Sequence, residues 1–400
     1  MTAAVLTARR LIAPKGTVEW PRIAIGGDGL IESIEAGGPG GDGTGAEETT
    51  LTAAFFDVHV HGAAGHDAME GSAEGFARIG EFLATKGVAY YLATTVTAPV
   101  ERTLRALAGI ADAIEAAGDR DARGAGGGAG SGARPVGIHL EGPFISHAKR
   151  GVHPPGEIQP PSVALFERMQ QAARGHIRLM TVAPEVAGAL ELIEHAARAG
   201  VRVSVGHSDA TAAQTREAIA AGAASATHTF NAMRRLDHRE PGIAGVVLDA
   251  EELYAELICD GIHVAPEFVR MWLRAKGDER AILVTDGISA TGMPDGEYML
   301  GEFAVTVREG RCQLASDLAA GVETLAGSVL TMDRAVANVQ RFTGASLATA
   351  VRLASRNPAR MLGLDELGEI AVGRAANFNV FSAEGSLVRT ILRGRAMSGD

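Results

Sequence analysis

Cysteine is nearly absent: Cys259 and Cys312 are the only two in 400 residues, and they lie far apart in sequence. That excludes a disulfide framework, and any metal must be held by His and carboxylate side chains. Positive charge is also scarce. Lys and Arg number 37 against 48 Asp and Glu, for a net charge of -11, and no concentrated basic run offsets the deficit, which argues against nucleic acid as a partner. Long apolar runs are missing too. No stretch of about 18 apolar residues occurs anywhere, and the opening MTAAVLTARRLIAPKG has no extended apolar segment of the secretory kind. The expectation is an acidic cytoplasmic protein, neither exported nor membrane-spanning. With 46% hydrophobic and 21% charged residues, the chain can bury a large core.

The interior of the sequence repeats one texture. Apolar runs FFDVHV, GVAYYLATTV, PVGIHL, HIRLMTV, VRVSVG, ASATHT, LYAELIC and AILVTD are separated by alanine-rich helical segments. Runs of continuous apolar character alternating with helices indicate parallel strands buried on both faces. Eight of them predict an α/β fold of the (β/α)8 TIM-like barrel type, with an open doubly wound sheet as the alternative. Both chain ends differ from this. VLTARRLIA, VEWPRIAIG and LIESIEA before about Thr52, and GEIAVGRAANFNVFSAEGSLVRTILRGRAM at the other end, are short apolar runs punctuated by glycine and proline. They predict small antiparallel strands that pair into one small sheet domain built from residues 1–54 and 368–400, outside a barrel of residues 55–367. MLGEFAVTVREGRCQLA predicts a hairpin insertion after the eighth run, and SVLTMDRAVANVQRFT an amphipathic helix. Two glycine-rich tracts, GGPGGDGTG from Gly37 and RGAGGGAGSGARP from Arg123, lack the Lys-Ser/Thr of a phosphate loop and read as surface loops.

Chemistry-bearing residues gather where the apolar runs end: His59 and His61, Glu141, His207, His228 and Asp286. In a barrel those ends share one rim, where active sites of this architecture are built. His59 and His61 are two apart on a strand and so share a face. Taken singly, each histidine reads as a hydrogen-bonded core residue. Taken together with two carboxylates, they would be costly to bury without a compensating divalent cation. Such a set around an open coordination position lowers the pKa of bound water to about 7 and points to hydrolysis, with Asp286 as the general base and later acid. His139, two before Glu141, is assigned to support or core packing. His66, His147, His176, His195 and His238 fall in loops or polar helical surroundings and read as surface residues. Cys259, in an apolar run, reads as a buried thiol rather than a nucleophile.

The stretches DVHVHG from Asp57, HLEGPF from His139, KRGVHPP from Lys149, VGHSDAT from Val205, THTFNAMRRLDHREPG from Thr227, DGIHV from Asp260 and LVTDGISATG from Leu283 carry a resemblance. In order and spacing, the chain resembles the N-acetylglucosamine-6-phosphate deacetylase family of the amidohydrolase superfamily. The resemblance implies a barrel with a small β-sandwich from both chain ends, metal ligands at Glu141, His207 and His228, and catalysis by Asp286. It implies that His153 polarises the acetyl carbonyl, and that Asn231, Ala232, Arg239 and His263 face the phosphate or the sugar. It implies one or two divalent ions per chain, Zn, Fe or similar, a homodimer, and a phosphorylated amino sugar as the small-molecule partner. Intact His59 and His61 are compatible with a second ion, bridged to the first by Glu141. Two departures occur: Ala53-Ala54 stands where the family usually has Pro-Gly, and Asn377 where superfamily members often carry Asp. The implied reaction is hydrolysis of N-acetylglucosamine 6-phosphate to glucosamine 6-phosphate and acetate. Its rivals are the galactosamine epimer, another amidase or deaminase substrate, and a non-catalytic metal-binding barrel.

Overall fold

The computed structural model describes residues 4–38, 48–122, 132–301 and 303–397, so most of the two glycine-rich tracts lies outside the described residues. Each apolar run of the interior forms a strand: Phe55–Val60, Val88–Thr95, Arg134–Glu141, Ile177–Val182, Arg202–Val205, Ala223–Ala226, Tyr254–Ile258 and Ala281–Val284. They pair in chain order, each parallel to the next. A parallel bridge between Val60 and Gly287 joins the last to the first, which makes the sheet a barrel and excludes the doubly wound alternative. Polar groups hold this seam. Thr285 Oγ1 donates to Asp57 at 2.6 Å, and the His61 amide donates to the Gly287 carbonyl at 2.8 Å.

The strands lack alternation because both faces are covered: every residue of Phe55–Val60 and of Val88–Thr95 is buried. Outside them run the alanine-rich helices, among them Ala73–Thr85, Val163–Ala172 and Ala212–Ala221. Each of these three starts where a Ser or Thr side chain, from Ser72, Ser162 and Thr211, accepts an otherwise unpaired amide of the first turn. The amphipathic helix expected after the insertion is Met332–Thr343.

The chain ends form two sheets. One is three-stranded and antiparallel, from Ala4–Thr7, Pro21–Ile25 and Ile31–Ala36. The other has six strands, three from each end of the chain. Its centre is Thr50–Ala53, which pairs antiparallel with Phe378–Phe381 on one side and parallel with Arg10–Ala13 on the other. The parallel pair departs from the all-antiparallel reading. It exists because Gly16–Glu19 returns along Arg10–Ala13 first, leaving the other edge of that strand for a distant segment. In VEWPRIAIG, a left-handed Trp20, with φ 51, splits one apolar run into strands of two different sheets. The buried alternation of Pro21–Ile25 shows why: Ile23 and Ile25 point into a core shared with Leu11, Leu51, Phe378 and Val380 of the six-stranded sheet.

The insertion is larger than a hairpin. Gly296–Leu300, Phe303–Arg308 and Arg311–Leu314 make a three-stranded antiparallel sheet. Its inner side chains Leu300, Val305, Val307 and Cys312 pack with Val152 and Ile288 at the barrel rim.

Candidate metal centre

Six side chains from five strand ends converge on one spot. His59, on the first strand, and His61, just past it, point inward together, with Nε2 atoms 3.3 Å apart. Glu141 ends the third strand, His207 and His228 lie two residues beyond the fifth and sixth, and Asp286 two beyond the eighth. His207, His228 and Asp286 adopt φ of 45, 29 and 53, a conformation that costs of order 1–3 kcal/mol at a non-glycine residue and that clusters at functional sites. All six are buried. Their donor atoms fall into two groups, His59, His61 and Asp286, and Glu141, His207 and His228, each with its atoms within 4.8 Å of one another.

Glu141 stands between the groups. Its Oε2 lies 3.1 Å from His61 Nε2, and its Oε1 3.3 Å from His207 Nε2 and 3.2 Å from His228 Nε2. Asp286 Oδ1 is 3.3 Å from both His59 Nε2 and His61 Nε2. The hydrogen bonds on the far sides of the rings decide what these distances mean. His207 Nδ1 donates to the Lys149 carbonyl at 2.9 Å, and His59 Nδ1 to Glu256 Oε2 at 3.3 Å. A neutral imidazole has one proton, so both Nε2 atoms present lone pairs to Glu141 Oε1, at 3.4 Å from His59 and 3.3 Å from His207. Such a convergence of acceptors is repulsive unless a cation lies among them, and imidazole nitrogens with carboxylate oxygens are the donors a divalent ion takes. The residues therefore fit a metal. Failing one, protons are drawn in its place: burial opposes charge on His61, yet Asp286 and Glu141 push its pKa up to about 9. Burial alone would raise Asp286, but the adjoining His59 and His61 outweigh it and hold the carboxyl below its usual value.

The centre opens into a cavity of about 600 Å³ lined by His61, Glu141, His207, His228 and Asp286, though not by the fully buried His59, and by the residues expected to face the substrate, with one exception. His153 lines it, and burial pushes its pKa down to about 4. Asn231 and Ala232 line it from the turn after His228, where Asn231 Nδ2 donates to the His228 carbonyl at 3.3 Å. His263 lines it with Nδ1 bonded to Asp260 Oδ2 at 2.6 Å. The exception is Arg239, which is exposed and outside the cavity of its own chain; Arg235 and Lys149 line the cavity instead. His139 is fully buried beneath the centre, its Nε2 2.8 Å from Thr181 Oγ1 and its ring 4.5 Å from that of His59. His66, His176 and His195 pair with Glu70, Glu115 and Glu167 away from the cavity. Burial pushes the Cys259 thiol up to about 12, which removes it as a nucleophile.

Besides Lys149 and Arg235, two participants escaped the sequence reading. Glu256, fully buried on the seventh strand, fixes the His59 ring; a lone carboxylate inside LYAELIC was the available signal. Thr97, two residues past the second strand, bonds His153 at 2.7 Å, and nothing in its neighbourhood marks it.

Residues 50–397 match the amidohydrolase family. The chain is 38% identical over 374 residues to the N-acetylgalactosamine-6-phosphate deacetylase of Escherichia coli O157:H7, covering 93% of each. It is 37% identical to the N-acetylglucosamine-6-phosphate deacetylase of Bacillus subtilis (strain 168), covering 87% of this chain and 84% of that one. The structure resembles that of N-acetyl-D-glucosamine-6-phosphate deacetylase from Mycobacterium smegmatis in complex with N-acetyl-D-glucosamine-6-phosphate, with a TM-score of 0.89, 33% identity and 100% of both chains covered.

Proposed function

Because the chain belongs to the amidohydrolase family, we propose that it hydrolyses the acetamide of N-acetylglucosamine 6-phosphate to glucosamine 6-phosphate and acetate. The observation that carries this reading is the placement of Asp286 and His153 in one cavity with Glu141, His207 and His228, Asp286 against His59 and His153 against Glu141. A divalent ion held by Glu141, His207 and His228, with a second beside His59 and His61, would supply Lewis acidity and a lowered pKa for water. Imidazole and carboxylate donors suit Zn, Fe and similar ions.

The side chains supply the rest. His153 donates a hydrogen bond to the acetyl oxygen as negative charge builds there, a kind of preorganised donor whose removal costs other hydrolases about 3–4 kcal/mol. Asp286 takes a proton from the attacking water as its oxygen bonds to the acyl carbon. It then passes that proton to the nitrogen as the C–N bond breaks, so that acetate and the amine leave. The adjoining His59 and His61 outweigh the effect of burial and keep Asp286 ionised until it is needed.

With a chain of net charge -11, a phosphorylated sugar must be selected by local donors. Lys149, Arg235, His263 and the Asn231 amide line the cavity and offer them. Arg239, which the family resemblance places near the phosphate, is exposed and outside this cavity; in the homodimer that resemblance implies, it would approach the anion from the second copy of the chain. Among the described residues no helix is long and apolar enough to cross a membrane.

The galactosamine epimer is the second reading, favoured by the relative from Escherichia coli. Acetate release from the two phosphorylated epimers, with and without chelator, tests both. Faster release from the glucosamine epimer, lost on chelation and restored by divalent ion, is expected. Faster release from the other epimer selects the second reading, and release from neither overturns both.

A further inference from the structure

His153 can carry its proton on either ring nitrogen, and the structure decides which. The second barrel strand ends at Thr95, and two residues later Thr97 is buried against the loop that bears His153. Thr97 Oγ1 lies 2.7 Å from His153 Nδ1, and the Thr97 backbone amide donates to the same nitrogen at 3.3 Å. An amide can only donate. Nδ1 therefore presents its lone pair to both groups, with the hydroxyl as the second donor. The proton sits on Nε2, which faces the cavity and lies 3.7 Å from Glu141 Oε2.

The fold holds Thr97 in this role from the opposite side. Gly142, directly after Glu141, has φ 75, and a Cβ there would come within 2.0 Å of Thr97 Oγ1. Only glycine lets the chain pass so close to the hydroxyl while keeping Glu141 at the centre.

We propose that Thr97 is a positioning residue that selects the Nε2–H form of His153 and aims that N–H at the acyl oxygen of the substrate. The opposite form would turn a lone pair toward the carbonyl oxygen and repel it, so the choice of nitrogen decides whether His153 assists the reaction. The proposal rests on the amide-hydrolase reading for its consequence, but not for the position of the proton.

The test uses the full chain loaded with zinc, labelled with 15N at histidine, and long-range 15N–1H spectra in which the His153 signals are identified by their absence from His153→Gln. Wild-type protein is expected to show Nδ1 without a proton and Nε2 with one. Thr97→Val keeps the amide and the side-chain shape and deletes the hydroxyl. It should shift part of the His153 population to Nδ1–H and lower kcat roughly tenfold, with KM and bound zinc unchanged, and Thr97→Ser should restore both. A wild-type spectrum with the proton on Nδ1 overturns the proposal. So does a Thr97→Val protein that keeps full turnover, or one that loses turnover with an unaltered spectrum. The spectra need no substrate, so a chain inactive on every phosphorylated amino sugar would refute the functional reading while the spectrum still judged the proton's position.

Discussion

Replacing Asp286 by Asn separates its chemistry from its place in the fold. The residue is anchored by its backbone: its amide donates to the His59 carbonyl at 2.9 Å, and its carbonyl accepts from the Ser328 amide at 2.8 Å. Its φ of 53 is one that Asn adopts more readily than most residues. Asp286→Asn should therefore fold, keep the side chain in place and retain the ion held by Glu141, His207 and His228. It cannot accept and return a proton. Loss of a general base or acid lowers a rate by about 100- to 10,000-fold, or about 3–5 kcal/mol of transition-state stabilisation. The carboxylate also sits 3.3 Å from both His59 Nε2 and His61 Nε2, so metal bound there should weaken, and the metal count should fall by at most one ion per chain. The assay is acetate release at saturating substrate, with elemental analysis of the same sample. If Asp286→Asn turned over at a near-normal rate, the assignment of Asp286 as proton carrier would be refuted. If it lost all metal, the argument that its role is separable from the Glu141, His207 and His228 group would fail.

Protein purified without chelator should contain more than one metal per chain, and His59→Gln combined with His61→Asn should lower that count; a count of one, unchanged in the double variant, would rule out two ions. Arg235→Ala is expected to reduce kcat/KM for the phosphorylated sugar by at least ~10-fold, about 1.4 kcal/mol, and to leave the rate on the unphosphorylated sugar nearly unchanged. Arg239→Ala should do the same only in samples that sedimentation shows to be dimeric; the same loss in a monomer would contradict its placement outside the cavity. Away from the site, the fully buried Asn357 donates to the carbonyls of Asp278 and Ala281 at 2.9 and 2.7 Å, tying a helix to the start of the eighth strand. Asn357→Leu leaves both carbonyls without that donor and should cost about 1–3 kcal/mol, read as a lower Tm in a protein that still binds metal.

Much of this molecule could be read from local pattern. Continuous apolar runs mark strands covered on both faces, and their number and alternation with helices suffice for the barrel, because each strand pairs with the next in sequence. The same regularity makes the ends of runs neighbours, which is why His59, His61, Glu141, His207, His228 and Asp286 were identifiable before any coordinates. Where strands do not pair in sequence order, pattern was insufficient. The parallel pairing of Arg10–Ala13 with Thr50–Ala53 and the splitting of VEWPRIAIG between two sheets depend on contacts between distant segments. Closure of the barrel decided the rest, because it sets distances between residues that no spacing relates. It put Glu141 between His61 and the pair His207 and His228, turned Glu256 onto His59 and Thr97 onto His153, and left Arg235 in the cavity with Arg239 outside it. The sequence by itself determined which residue types end which strands. Which nitrogen of His153 accepts from Thr97, which carboxylate stands between the two donor groups and which arginine lines the cavity were decided only by the tertiary structure, since each is a matter of a few ångströms between elements far apart in the chain.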